Sequence, residues 1–138
     1  MARGKIRLAI ICSEFNSEIT GRMLKSAMLH AKKLGAEVKV VCRVPGAYEI
    51  PFATDRLLSQ KGIDAAVALG TVIKGETKHD EAITAAICKS LLDISLSRKK
   101  PIGLGISGPG ITWGQAKARI GDYARRSVEA AIRMANSG

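Results

Sequence analysis

Four short apolar runs alternate with four longer segments of helical periodicity, and this alternation restricts the fold more than any other feature of the chain. The first run, residues 5–12, is rich in isoleucine and leucine, which is typical of a strand buried on both faces. Similar runs follow at residues 37–44, 64–69 and 102–106. Since a repeated strand–helix order favours parallel strands covered by helices, we predict an α/β protein, a three-layer α/β/α sandwich around a four-stranded parallel sheet.

The intervening segments carry apolar residues three and four positions apart, as amphipathic helices do. Gly35 is a natural stop for the first helix, and Thr112 with Gln115 forms a capping box for the last. Gly121 is expected to bend or break that last helix, because glycine there costs about 1 kcal/mol relative to alanine. The predicted helices run from residue 17 to about 34, from 51 to about 60, from about 77 to 97, and from 112 onward.

Length and composition indicate one globular domain, residues 1–138. Hydrophobic residues make up 46% of the 138, which is enough for one core. No apolar run reaches the roughly 18 to 20 residues that a membrane span requires, and the N-terminal segment lacks the small-residue cleavage site of a secretory signal. We therefore expect a cytoplasmic protein without a membrane partner.

A net charge of +10 favours anionic ligands. The basic side chains are scattered, and the few aromatic side chains do not interleave with them. Binding of nucleic acid through base stacking therefore has little support, and we expect no specific nucleic-acid partner. A basic protein associated with nucleic acid is kept as an alternative, because charge alone does not choose among anionic ligands.

The cysteines and histidines give no sign of a metal site. Cys12, Cys42 and Cys88 lack C-x-x-C spacing and lie in or beside apolar stretches, so we expect buried, reduced thiols. His30 and His79 have no cysteine or carboxylate cluster at ligand spacing. His30, near the end of the first helix, is interpreted as solvated or as a contact to the helix dipole.

Polar and glycine-rich segments follow each of the four predicted strands. They read SEFN (13–16), PGAYEIP (45–51), GTVIKGETKH (70–79) and SGPG (107–110). The carboxyl ends of parallel strands meet at one edge of a sheet, and ligands bind there where the strand order reverses. We therefore predict the active site at this edge.

Residues 70–83 are the strongest candidate for an anion site. Gly75 permits a tight turn, and Thr77 is placed to cap the next helix, whose first N–H groups suit a phosphate. An ordinary strand-to-helix turn is the alternative. His79 lies in the predicted first helical turn, and a histidine at the edge of a site suits proton transfer. A surface histidine with local hydrogen bonds is the alternative for that residue.

Phe15 and Asn16 directly follow the first strand and suit a flat heteroaromatic ligand, which would stack on the ring and bond to the amide. The alternative for Phe15 is a hydrophobic staple against its own helix. In the second segment, Tyr48 and Glu49 follow the next strand. Glu49 suits the hydroxyls of a polyol, or it favours a helix N-terminus.

Three of these segments together resemble the lumazine synthase family: Phe15-Asn16, PGAYEIP and GTVIKGETKHDEAI (70–83). The stretch IGLGISGPGIT (102–112) resembles the archaeal branch. The resemblance spans the chain and implies a flavodoxin-like fold. It also implies condensation of 5-amino-6-(D-ribitylamino)uracil with 3,4-dihydroxy-2-butanone 4-phosphate to 6,7-dimethyl-8-ribityllumazine, a step of riboflavin biosynthesis that releases phosphate and water. No cofactor and no metal are implied.

The resemblance also implies which residues form the site. Phe15 would stack on the pyrimidine ring, and His79 would be the catalytic proton shuttle. The substrate-binding positions are Phe15, Asn16, Ala47, Tyr48, Glu49, Thr71, Val72, Ile73 and Leu104, and the phosphate-binding positions are Gly75, Glu76, Thr77 and Arg119. Leu104 stands where many members of the family have an aromatic residue.

For assembly, the resemblance implies a homopentamer in which Leu104 and Arg119 of one subunit complete the pocket of its neighbour. Closure of pentamers into an icosahedral shell is left open, because residues 121–127 (GDYARRS) lack the Gly-Asn pair of many icosahedral members. Two other functions stay open. An archaeal-type riboflavin synthase is disfavoured because it has no use for a phosphate turn, and a non-catalytic flavin- or nucleotide-binding module leaves His79 and Arg119 without a role.

Overall fold

The computed structural model describes residues 4–75 and 79–137. Its strands are β1 (Arg7–Ser13), β2 (Glu37–Val44), β3 (Ala65–Ile73) and β4 (Ile102–Ile111). Its helices are α1 (Ser17–Lys33), α2 (Ile50–Leu58), α3 (Asp80–Arg98), α4 (Trp113–Ala118) and α5 (Ile120–Asn136), with a short 3₁₀ turn at Ala47–Glu49. Among the residues described, none of the helices combines the length and the apolar character needed to cross a membrane.

The strands form one parallel sheet in the order β2-β1-β3-β4. From the central pair, the chain moves outward to β2 on one side and to β4 on the other, so the strand order reverses between β1 and β3. Every residue of β3 is buried, as expected of a strand with helices on both faces. The predicted α/β class and the four-stranded parallel sheet are confirmed.

Two cores lie on opposite faces of the sheet. The α1 and α5 helices cover one face, where Ile10, Met23 and Val128 are fully or almost fully buried. The α2 and α3 helices cover the other face, where Ile11, Ile50 and Ile87 are similarly buried. The helices therefore occupy both outer layers of an α/β/α sandwich.

Two strands continue further than the sequence predicted. Residues 70–73 and 107–111 were expected to lie in loops, yet they extend β3 and β4, with Thr71 opposite Ser107 and Ile73 opposite Ile111. Gly108 fits this close pairing because a Cβ atom there would lie 2.7 Å from the carbonyl oxygen of Val72. The loop prediction for SGPG was wrong, because pairing with the neighbouring strand outweighed its turn-like composition.

The ends of the later helices also differ from the prediction. The α3 helix begins at Asp80, with His79 at its N-cap, so the predicted start at Thr77 was three residues too early. The capping box of Thr112 and Gln115 is confirmed, but it caps only the short α4 helix. The expected break falls at Arg119, between α4 and α5, and not at Gly121.

Candidate active site

Phe15 lies at the carboxyl edge between the ends of β1 and β2. Backbone bonds hold this corner: the N–H of Glu14 donates to the carbonyl of Val44 at 2.7 Å, and the N–H of Phe15 donates to that of Pro45 at 3.0 Å. The Phe15 side chain is 59% exposed. Phe15 is therefore not a hydrophobic staple buried against its own helix, and its ring is available to a ligand.

Asn16 turns the chain from β1 into α1. Its φ is +64°, a left-handed conformation that asparagine tolerates better than most residues. Its carbonyl accepts from the N–H groups of Ile19 and Thr20 at 2.9 and 3.0 Å. Asn16 thus begins the helix through its backbone, beside the exposed ring of Phe15.

The PGAYEIP segment forms the 3₁₀ turn after β2. Tyr48 is 71% exposed. One carboxylate oxygen of Glu49 accepts from the N–H of Gly46 at 2.9 Å, so the side chain caps its own turn. Of the two interpretations of Glu49, this contact matches the capping one directly. The bond uses only one of the two carboxylate oxygens.

The end of β3 supplies backbone at the edge of the sheet. Thr71, Val72 and Ile73 are buried in the strand, and the hydroxyls of Thr71 and Ser107 are hydrogen-bonded to each other. Gly75 follows with a φ of +87°, a conformation that favours glycine and permits the predicted tight turn. Glu76 and Thr77, predicted as phosphate ligands, lie outside the described residues.

His79 is exposed at the N-cap of α3, and not within its first turn as predicted. Its carbonyl accepts from the N–H of Ile83 at 2.8 Å, which starts the helix. Asp80, the first residue of α3, accepts from the N–H of Gly110 in β4 at 3.1 Å through Oδ2. Sequence reasoning missed this contact, since residues 80 and 110 are far apart in the chain.

Arg119 and Leu104 lie on different sides of the sheet. Arg119 is exposed at the junction of α4 and α5, and its carbonyl accepts from the N–H of Tyr123 at 3.0 Å. Leu104 pairs with Ala68 and lies beside Cys88 and Leu92 on the α3 side. It is three residues, or roughly 10 Å, short of Ser107 along the strand. Within one chain, Leu104 is therefore not at the carboxyl edge.

Two predictions about other residues need correction. His30 is not simply solvated, because its Nε2 lies 2.8 Å from Oε1 of Glu129 across the α1–α5 contact. Its position in the last turn of α1 agrees with the predicted contact to the helix dipole. Of the three thiols, Cys12 is buried as predicted, but Cys42 and Cys88 are only half-buried. Burial raises the pKa of the Cys12 and Cys88 thiols, which makes both poorer nucleophiles at neutral pH.

The described part of the carboxyl edge has cationic side chains and backbone donors. It has no cluster of metal ligands among the residues described. No group of three or more His, Cys, Asp or Glu side chains arranged for a metal ion occurs within residues 4–75 and 79–137. Lys74 and Arg119 are exposed. This arrangement suits an anionic ligand held by helix-end N–H groups and positive charge.

Comparison with known proteins places the chain in a family. The family model described as 6,7-dimethyl-8-ribityllumazine synthase matches residues 5–137. A protein of that name from Staphylothermus marinus is 52% identical over 130 residues, covering 94% of this chain and 87% of the relative. The namesake from Metallosphaera sedula is 51% identical over 135 residues, covering 98% and 89%. That from Saccharolobus solfataricus is 49% identical over 134 residues, covering 97% and 87%. The chain belongs to the 6,7-dimethyl-8-ribityllumazine synthase family.

Proposed function

We propose that this protein is an enzyme of riboflavin biosynthesis, a transferase that condenses 5-amino-6-(D-ribitylamino)uracil with 3,4-dihydroxy-2-butanone 4-phosphate to 6,7-dimethyl-8-ribityllumazine, releasing phosphate and water. The observation that carries the proposal is the family match over residues 5–137, with relatives of that name about half identical over nearly the whole chain. The reaction takes place in the cytoplasm and uses neither a metal nor a cofactor.

The uracil substrate binds at the corner between β1 and β2. Its ring stacks on Phe15, whose side chain is largely exposed and therefore available. The ribityl chain contacts Asn16 and Glu49, as well as the backbone of Ala47 and Tyr48. The pyrimidine edge bonds to backbone groups at residues 71–73, where β3 reaches the carboxyl edge.

The butanone phosphate binds at the turn between β3 and α3. Gly75, Glu76 and Thr77 form the phosphate turn, with the positive end of α3 behind it. Arg119 adds a charge-assisted contact, which makes phosphate a better leaving group. His79, at the start of the helix, transfers protons during the condensation of the amine with the ketone. The rest of catalysis is the positioning of these two groups.

The active site is completed by a second copy of the chain in a homopentamer. Leu104 lies three residues, or roughly 10 Å, before Ser107 along its own strand, so it reaches a pyrimidine ring only in a neighbour. The same face of the protein carries other large apolar side chains that are mostly exposed, namely Phe52, Leu92 and Leu96. A neighbouring subunit would bury them. The pentamer is sufficient for this site, and an icosahedral shell is not required by it.

A fluorescence assay of product formation tests the proposal. The purified protein is mixed with both substrates, and the lumazine product is followed by its fluorescence. Arg119→Ala should lower kcat/KM by roughly a hundredfold, since a charged contact to the departing phosphate is lost. Arg126→Ala is the matched control: Arg126 is exposed and pairs with Asp122 at 3.5 Å on the same helix, so its loss should leave the rate within about twofold.

Two results would overturn this account. If a folded oligomer forms no product, the synthase assignment fails, and a non-catalytic binding module becomes the better description. If product forms but Arg119→Ala and Arg126→Ala behave alike, the reaction stands and the assignment of Arg119 to the phosphate does not.

A further inference from the structure

The turn between β3 and α3 is held at both ends by two consecutive residues of β4. At its start, the N–H of Lys74 donates to the carbonyl of Ile111 at 2.7 Å. At its end, the N–H of Gly110 donates to Oδ2 of Asp80 at 3.1 Å. The residue after β3 and the first residue of α3 are therefore both tied to the end of the neighbouring strand.

Gly110 is suited to this contact by its backbone. Its φ is +72°, which glycine adopts without the strain that another residue would carry. The SGPG segment, which the proposed function leaves without a role, thereby presents a backbone donor to the first residue of α3. No sequence pattern predicts the bond between Gly110 and Asp80.

Asp80 differs in this contact from Glu81, the next residue. Both carboxylates lie in the first turn of α3, and both are therefore favourable to the helix dipole. Both carboxylates share the favourable interaction with the helix dipole, but of the two only Asp80 accepts the bond from Gly110. The chain thus contains a charge-matched control for the bond, one position away.

We propose that Asp80 is a positioning residue for the start of α3, acting through its bond to Gly110. The inference rests on the proposed function, because it assumes that phosphate binds before α3. Asp80 fixes the N-terminus of α3, and with it the backbone of His79, relative to the sheet. Asp80 acts here as a hydrogen-bond acceptor and not through its charge, because the negative charge of a carboxylate would repel a phosphate bound beside it.

Three variants separate the bond from the charge. Asp80→Ala removes both, Asp80→Asn keeps an acceptor oxygen but removes the charge, and Glu81→Ala removes an equal charge from the same turn. We expect Asp80→Ala to raise KM for the butanone phosphate by roughly threefold to tenfold, the effect of losing one hydrogen bond. KM for the ribitylaminouracil should stay unchanged. Asp80→Asn should restore the wild-type value, and Glu81→Ala should leave both KM values within about twofold.

The selective change in one KM value distinguishes positioning from a general loss of structure. Equal rises for both substrates would contradict the proposal, as would equal effects of Asp80→Ala and Glu81→Ala. A folded Asp80→Asn variant as impaired as Asp80→Ala would contradict it too, because the acceptor would then not be what matters.

A second measurement does not depend on turnover. Hydrogen exchange of the Gly110 amide should be faster in Asp80→Ala than in the wild type and slow again in Asp80→Asn. Calorimetric titration with inorganic phosphate should show a dissociation constant raised threefold to tenfold in Asp80→Ala alone, as a single lost hydrogen bond implies. If the wild type makes no product, the synthase assignment fails by itself. Asp80 is then judged on these two readings, and unchanged exchange or unchanged phosphate affinity overturns it.

Discussion

The two ends of the same sheet use their side chains in different ways. At the amino end, Asp64 accepts from the backbone N–H of Arg7 at 2.8 Å and from its guanidinium at 2.9 and 3.0 Å. Lys100 donates to the carbonyls of Leu58 and Gln60, at and just after the end of α2. At the carboxyl end, Phe15, Tyr48 and Arg119 are exposed. Charged side chains thus join structural elements at the amino end, whereas at the carboxyl end Asp80 does so and the aromatic and basic groups face outward.

Under the proposed function, the amino end serves stability and the carboxyl end serves binding. Parallel strands place the starts of all strands at one edge and their ends at the other, so one fold offers both kinds of surface. Substitutions at the amino end should therefore change the free energy of unfolding with little effect on the chemistry of a correctly folded protein. Substitutions at the carboxyl end should do the reverse.

The largest expected effect is at the amino end of β4, where Gly103 lies against α5. A Cβ atom on Gly103 would lie 1.9 Å from the backbone oxygen of Ser127 and 2.7 Å from its carbonyl carbon. Gly103→Ala should therefore force β4 and α5 apart and lower the free energy of unfolding by roughly 3 kcal/mol or more. Urea denaturation followed by circular dichroism measures this.

Gly21→Ala is the control for that substitution. Gly21 lies inside α1, and a Cβ atom there would have no atom within 4 Å apart from its chain neighbours and the nearby backbone of its own helix. Alanine should therefore raise the free energy of unfolding, by roughly 0.5 to 1 kcal/mol. A Gly103→Ala protein as stable as the wild type would show that the α5–β4 contact is looser than described.

The next effect is at the carboxyl end, at Phe15. Phe15→Ala should lower kcat/KM by roughly tenfold to a hundredfold, the range for losing one aromatic ring stacked on a base. The free energy of unfolding should change by less than about 0.5 kcal/mol, because the ring is exposed. Steady-state lumazine fluorescence and urea denaturation of the same preparations provide both values.

Phe15→Tyr keeps the ring and should retain most of the activity. Leu29→Ala removes a more exposed apolar side chain from α1 and should change neither value. Equal loss of activity in Phe15→Ala and Phe15→Tyr would argue against stacking. A large loss of stability in Phe15→Ala would remove the contrast between the two ends of the sheet.

The sequence predicted the sheet well because its two central strands, β1 and β3, are buried on both faces. Apolar runs such as residues 64–69 indicate a strand by their own composition, without knowledge of the neighbouring strand. The alternation of strands and helices then favours a parallel arrangement. The extension of β4 through Gly110 was not predictable in this way. Its composition is that of a turn, and only pairing with β3 makes it a strand.

The candidate site was predictable where local chemistry indicates it, as for Phe15 and the turn at Gly75. The contact of Asp80 was not, because its partner Gly110 has no side chain and lies 30 residues away. Likewise, Leu104 shows no sign in the sequence of its distance from the carboxyl edge. These features depend on how β3, β4 and α3 pack together, which single-residue patterns do not encode.

Co-assembly of two impaired variants tests most directly the claim that the carboxyl edge becomes a synthase site only between two copies. Phe15→Ala and Arg119→Ala chains are co-expressed with different tags, and mixed oligomers are isolated. If Phe15 of one copy works with Arg119 of the next, random mixing in a closed ring leaves about one site in four with both residues intact. The mixed oligomer should therefore recover about a quarter of the wild-type rate. A rate no higher than the mean of the two separate variants would contradict the account and place both residues in a site within one chain.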